Sequence, residues 1–162
     1  MVQNIVNEFF SLGMAGKEAR ELDDFNITFH TLQVFNKKVY DLLKHPKEIL
    51  SSNAGSPEIS LSVDHSGCIV AGEAIEHELQ EESDFLPAVT SAMKNIESYA
   101  YAFHGTTKGG IERFKSMSHL VFWVNLYVQV GGSIFKTSIK FVDLCGTESL
   151  DLTTQLNEEE NF

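Results

Sequence analysis

Asp143-Leu144-Cys145-Gly146-Thr147-Glu148 follows the apolar run Ile139-Lys140-Phe141-Val142. A strand that delivers an aspartate at its carboxyl end, then a glycine three residues later, suits the sensing of a terminal phosphate. The aspartate can hold Mg²⁺ through water, and the glycine amide can approach a phosphate because no side chain obstructs it. Such sites lie outside the carboxyl ends of strands. D-x-x-G alone is also a common strand-ending turn, so its meaning depends on what surrounds it.

The six histidines (His30, His45, His65, His77, His104 and His119) are scattered, without H-E-x-x-H or Cys/His ligand spacing. Neither a nucleophile elbow nor a triad signature is present. His104-Gly105-Thr106-Thr107-Lys108-Gly109-Gly110 offers glycines and a lysine in the wrong order for a phosphate-cradling G-x-x-x-x-G-K-[ST], which occurs nowhere in the sequence. Cys68 and Cys145 are the only cysteines, form no C-x-x-C pair and fit a reduced intracellular protein.

The elements that must position Asp143 follow from periodicity. Val2, Ile5, Val6, Phe9 and Phe10 lie on one helical stripe that closes near Gly13, with Met14 to Asp24 as a charged loop. Phe25, Ile27, Phe29 and Thr31 alternate, and the run continues apolar through Phe35, which predicts a strand covered on both faces. Lys37 to Leu43 reads as a short helical turn, and Ser51 to Pro57 as a loop. Ile59, Leu61 and Val63, the turn Asp64-His65-Ser66-Gly67 and Cys68 to Val70 form a hairpin. A helix starts near Ser83 as N-cap, with Pro87 in its first turn and Leu86, Val89, Met93, Ile96 and Ala100 on its apolar face. His104 to Lys115 reads as a loop. Leu120 to Val130 suits a central buried strand, and Gly131-Gly132 turns it into a second long strand, Ile134 to Leu144.

Composition bounds the rest. The chain has 162 residues, 43% hydrophobic and 10% aromatic, with three prolines, enough for one packed α/β domain or part of a larger one. Twelve basic against 23 acidic residues give a net charge of −11, which opposes nonspecific binding to nucleic acid or anionic membranes. The N-terminus carries no basic, apolar signal, and no run approaches the roughly 20 apolar residues of a membrane span.

Three collinear segments sharpen this picture. Phe35-Asn36-Lys37-Lys38-Val39-Tyr40-Asp41-Leu42-Leu43 resembles the kinesin-family pattern Y-N-E-x-V-Y-D-L-L. Ser116-Met117-Ser118-His119 resembles the end of that family's switch I, N-x-x-S-S-R-S-H, and Asp143 to Glu148 resembles its switch II, D-L-A-G-S-E. Family order and spacing are kept across residues 1–149, leaving 150–162 as a polar, acidic tail. The resemblance implies an α/β, motor-like central sheet, mostly parallel and flanked by helices, of which this chain is an incomplete, middle portion.

It also implies roles. Ser116, Ser118, His119, Asp143 and Gly146 would face nucleotide, with Ser116 and Asp143 reaching Mg²⁺ through it. Glu148 would be the catalytic partner of a switch I arginine. Met117 stands in that arginine's place, so the closing ion pair cannot form, and Glu112 and Lys115 replace the motif's asparagine and first serine. The cofactors implied are ATP and Mg²⁺, the partners a microtubule or a partner kinesin chain, and the setting the cytoplasm and its microtubules. The hairpin near Asp64 to Ile69 corresponds to a tubulin-touching element, but acidic Glu73, Glu76, Glu78, Glu81, Glu82 and Asp84 follow it. Two expectations result: a motor-related chain that does not hydrolyse ATP alone, or a non-catalytic module that binds a partner motor or microtubules.

Overall fold

In the computed structural model, the residues described are 2–44, 58–65, 67–104 and 117–145. Twelve-residue strands form the centre: β1 (Asp24–Phe35) and β7 (His119–Val130) pair antiparallel from Asp24↔Gln129 to Val34↔His119. β8 (Ser133–Asp143) continues the sheet beyond β7, and β2 (Lys38–Asp41) and β3 (Glu58–Ile59) extend it on the other side, in the order β3-β2-β1-β7-β8. β6 (His77–Leu79) pairs with the early part of β1. All these described pairings are antiparallel: the expected long β7–β8 pair is present, and none of them is parallel, unlike the mostly parallel sheet the resemblance implies for the whole motor. The physical reason lies in the connections: β1–β2 and β7–β8 are two-residue hairpins, which can only reverse the chain.

One face of the sheet is covered by helices. α1 (Val2–Glu18) and α2 (Phe85–His104) bury Val6 and Phe85 against Ile27, Phe29, Leu79 and Val124. Further along α2, Ala92, Ile96, Tyr99 and Ala100 pack on Tyr40 and Leu42. The opposite face is closed by Ile59 and Ala71 over Leu32 and Trp123. β1 is therefore buried on both sides through its middle, as its unbroken apolar run predicts.

Several local expectations are corrected. α1 does not close near Gly13 but runs to Glu18, and Gly13 inside it makes room for the Phe25 side chain of β1. A Cβ there would lie 2.6 Å from the Phe25 ring. Lys37 to Leu43 contains β2 and no helical turn, since Asn36 and Lys37 take left-handed backbone angles (φ 48° and 65°) and fold β2 back on β1. Ile59 pairs with Val39 of β2, leaving only β4 (Ser62–Val63) and β5 (Ile69–Val70) as the predicted small hairpin. Its turn is held by Asp64, whose amide bonds the Cys68 carbonyl and whose carboxylate accepts the Cys68 amide.

Ser83 does not cap α2. It sits in a 3-10 turn, Glu82–Asp84, where the Asp84 carboxylate accepts the amides of Gln80 and Glu81. Leu86 and Met93 are exposed, whereas Ile96 and Ala100 are buried as expected, together with Phe85, Ala92 and Tyr99. α2 itself continues to His104, while the loops at 51–57 and 105–115 lie outside the described residues. β8 is long as expected but mostly exposed, because it ends the described sheet.

Asp41, the aspartate of the V-Y-D-L-L segment, ties these layers together. It is fully buried, and its carboxylate accepts the amides of Leu43 (2.9 Å) and Ile75 (2.7 Å). Its own carbonyl accepts the Tyr99 hydroxyl of α2 at 2.9 Å. Burial raises its pKa above the usual 3.8, against the opposing pull of the two amides. A second clamp joins sheet to overlying chain. Glu76 accepts hydrogen bonds from Thr28, from Asn125 (2.9 Å) and from Tyr127 (2.7 Å), and Asn125 accepts Ser138 at 2.7 Å.

Candidate functional site

The β7–β8 hairpin decides where the proposed switch residues meet. Its register places Leu120 opposite Asp143, so the first residue of β7 and the last of β8 share one end of the sheet. Beyond that pair, the Cys145 amide donates to His119 Nδ1 at 3.0 Å. The segment entering β7 and the segment leaving β8 are thereby hydrogen-bonded to each other. Because Nδ1 accepts, the neutral imidazole carries its hydrogen on Nε2, which stands 3.9 Å from Cys145 Sγ.

Ser118 is buried, and its hydroxyl oxygen accepts Gln33 Nε2 at 2.7 Å. Gln33 is 1% exposed, and its Oε1 has no hydrogen-bond partner among the described residues. Asp143 is exposed at the carboxyl end of β8. Gln33, Ser118, Asp143 and Cys145 line a cleft of about 680 Å³ whose opposite wall is α2, with Thr90, Lys94 and Glu97. Met117 is half-buried in the turn before β7. Ser118, His119 and Asp143 thus come to one end of the sheet, while Ser116, Gly146 and Glu148 lie outside the described residues.

Among the described residues no three His, Cys, Asp or Glu side chains gather closely enough to hold a metal ion. Among the described residues, Asp143 is the carboxylate at the end of β8 that lines the cleft, and Met117 offers no charge. These residues alone do not fit a complete Mg²⁺-nucleotide site.

Sequence reasoning missed Gln33 and the contact between His119 and Cys145. Gln33 had one signal: it is a polar residue on the helix-facing side of β1, in series with Phe25, Ile27, Phe29 and Thr31. Cys145 had another, as a nucleophilic side chain where the family pattern has alanine.

The described residues thus form an antiparallel sheet with helices on one face, and the start of β7 and the end of β8 meet at one end of it. A scan against protein families matches residues 1–161 to the kinesin motor domain, and the chain belongs to that family. Solved structures agree on the fold. The C-terminal motor and motor homology domain of Kar3Vik1, fused to a synthetic heterodimeric coiled coil, superposes with a TM-score of 0.64 at 15% identity, covering 90% of this chain and 33% of that one. A fast kinesin gives 0.67 at 13% identity, covering 90% and 36%. The motor domain of the Kar3-like kinesin from Ashbya gossypii gives 0.65 at 17% identity, covering 99% and 42%. The chain therefore spans between a third and about two fifths of these solved chains. A search of curated protein sequences gave no significant match. No helix among the described residues is long and apolar enough to cross a membrane.

Proposed function

We propose that this chain works in microtubule-based processes as the middle portion of a kinesin-type motor unit, residues 1–149, with an acidic tail at 150–162. In this reading it does not hydrolyse ATP by itself. The observation that carries it is the hydrogen bond between Cys145 and His119, which couples the end of a switch I-like segment to the start of a switch II-like one. The coupling element is kept, but Met117 removes the arginine that would pair with Glu148. The chain supplies no lysine and amide cradle for phosphates.

The test is thermal unfolding of the purified protein with and without Mg²⁺-ATP. A ligand at 100 times its Kd stabilises the native state by about 2.7 kcal/mol, a shift of roughly 5–10 °C at this size. The expected result is no shift. A Mg²⁺-dependent rise would overturn the proposal and restore Ser116, Ser118, Asp143 and Gly146 as nucleotide ligands.

A second reading is favoured by Met117 and by the motor homology domain among the similar structures. In it the chain is a non-catalytic module that binds a partner kinesin chain or the microtubule. Cosedimentation with microtubules, alone and with a partner motor, separates the alternatives. With a net charge of −11, direct binding to an acidic polymer would strengthen as salt screens repulsion. Binding that appears only with the partner motor supports the module.

A further inference from the structure

We propose that Cys145 is a thiol-modification site, and that the cleft between the end of β8 and α2 holds the adduct of a small peptidic disulfide. Four observations carry this. The cleft, about 680 Å³, falls within the 300–1,000 Å³ typical of small-molecule sites. Cys145 lines it, with its sulfur held beside His119 Nε2–H at 3.9 Å. Gln33, 1% exposed, lines the same cleft and has a carbonyl oxygen without a donor among the described residues, so an amide N–H of a ligand would satisfy it. The rim carries both signs of charge: Lys94 on α2 for a carboxylate and Asp143 for an ammonium.

Those features select the ligand class. An amide N–H, a carboxylate and an ammonium on a body the size of a short peptide are the groups of a peptidic thiol such as glutathione. The reaction balances as thiol–disulfide exchange. The Cys145 sulfur attacks one sulfur of the disulfide, a new S–S bond forms and the old one breaks. The departing sulfur leaves as a thiolate and receives, through solvent, the proton lost by Cys145. Cys145 is oxidised, and the released thiol is the reduced product. The inference goes beyond the proposed function and does not rest on it, since the chemistry needs no nucleotide.

Cys68 provides an internal comparison. It is exposed on the β4–β5 hairpin, so exposure alone would make it the faster of the two thiols. The experiment measures mixed-disulfide formation at each cysteine, by intact mass and peptide mapping of the native protein. The probes are glutathione disulfide and the uncharged bis(2-hydroxyethyl) disulfide, at one pH. The expected result is a preference for glutathione disulfide about tenfold larger at Cys145 than at Cys68, reflecting recognition by the cleft. Lys94 is exposed on the helix surface, so Lys94→Glu should fold. It should remove most of that preference and leave the rate with the uncharged disulfide unchanged. Equal preference ratios at the two cysteines, an unchanged ratio in Lys94→Glu, or adducts at Cys68 alone would each overturn the proposal.

Discussion

Two carboxylates that bind backbone to sheet carry pKa shifts of opposite sign. For Asp41, burial outweighs the amides of Ile75 and Leu43 and raises the pKa above 3.8. The unfolded chain therefore loses its proton at lower pH than the native one. The stability from this group is complete below 3.8 and declines as pH rises to the folded pKa. The site uses both carboxylate oxygens as acceptors, one for each amide. Asp41→Ala should cost about 1–3 kcal/mol for each amide left unpaired, whereas Asp41→Asn keeps one acceptor, leaves the other amide facing its NH2 group, and should cost less than Asp41→Ala while removing that pH dependence. Denaturant titrations of the three proteins across the acid range test both points. Glu76 behaves in the reverse sense: burial acts to raise its pKa, but hydrogen bonds from Thr28 and Tyr127 prevail and lower it. Its contribution is present above the ordinary 4.5 and is lost as pH falls through the folded value, so Glu76→Gln should flatten the acid limb of the stability curve. At this scale, a short motif names Ser118, His119 and Asp143, and the register of β7 and β8 brings them to one end of the sheet. Gln33 and the Cys145 contact were not legible in the sequence, because they depend on the joint register of β1, β7 and β8.

Among the elements, backbone conformation explains where periodicity succeeded. Gly131 and Gly132 have φ of 56° and 79°, the angles a two-residue hairpin with right-handed twist demands, and the sequence announced them. The β1–β2 hairpin uses the same kind of turn but places Lys37 at φ 65°, which conceals it. A non-glycine residue there bears roughly 1–2 kcal/mol of left-handed strain. Lys37→Gly should therefore raise the melting temperature by a few degrees, offset in part by glycine's greater unfolded-state entropy. Calorimetry showing no gain would mean that the Lys37 side chain makes compensating contacts. Gly13 makes the opposite point. It looked like a helix end because glycine often is one, yet it sits inside α1 where the Phe25 ring leaves no room for a methyl group. Gly13→Ala should destabilise by about 1–3 kcal/mol through overpacking, despite alanine's better helix propensity.

Across the whole molecule, the sheet is unevenly finished. Its middle is covered on both faces, but no described strand pairs with the far side of β8, where Ile134 is 71%, Phe135 61% and Leu144 69% exposed. A long strand with open backbone groups and apolar side chains is a template for another strand. Opposing that, a net charge of −11 makes two copies repel over about 10 Å at 0.1 M salt and over shorter distances as salt rises. The balance of these two effects sets the association state. The purified chain should sediment as a monomer at low ionic strength and as dimers or larger species once salt screens the repulsion. Lysines at Ile134 and Phe135 add charge on both faces of the same strand, and the doubly substituted protein should stay monomeric under both conditions. A wild-type chain that remains monomeric at high salt would show that β8 is already shielded, and that residues beyond those described cover its edge. Association unaffected by the two lysines would instead place the contact on another surface, with the exposed β4–β5 hairpin residues Val63 and Ile69 the next to replace.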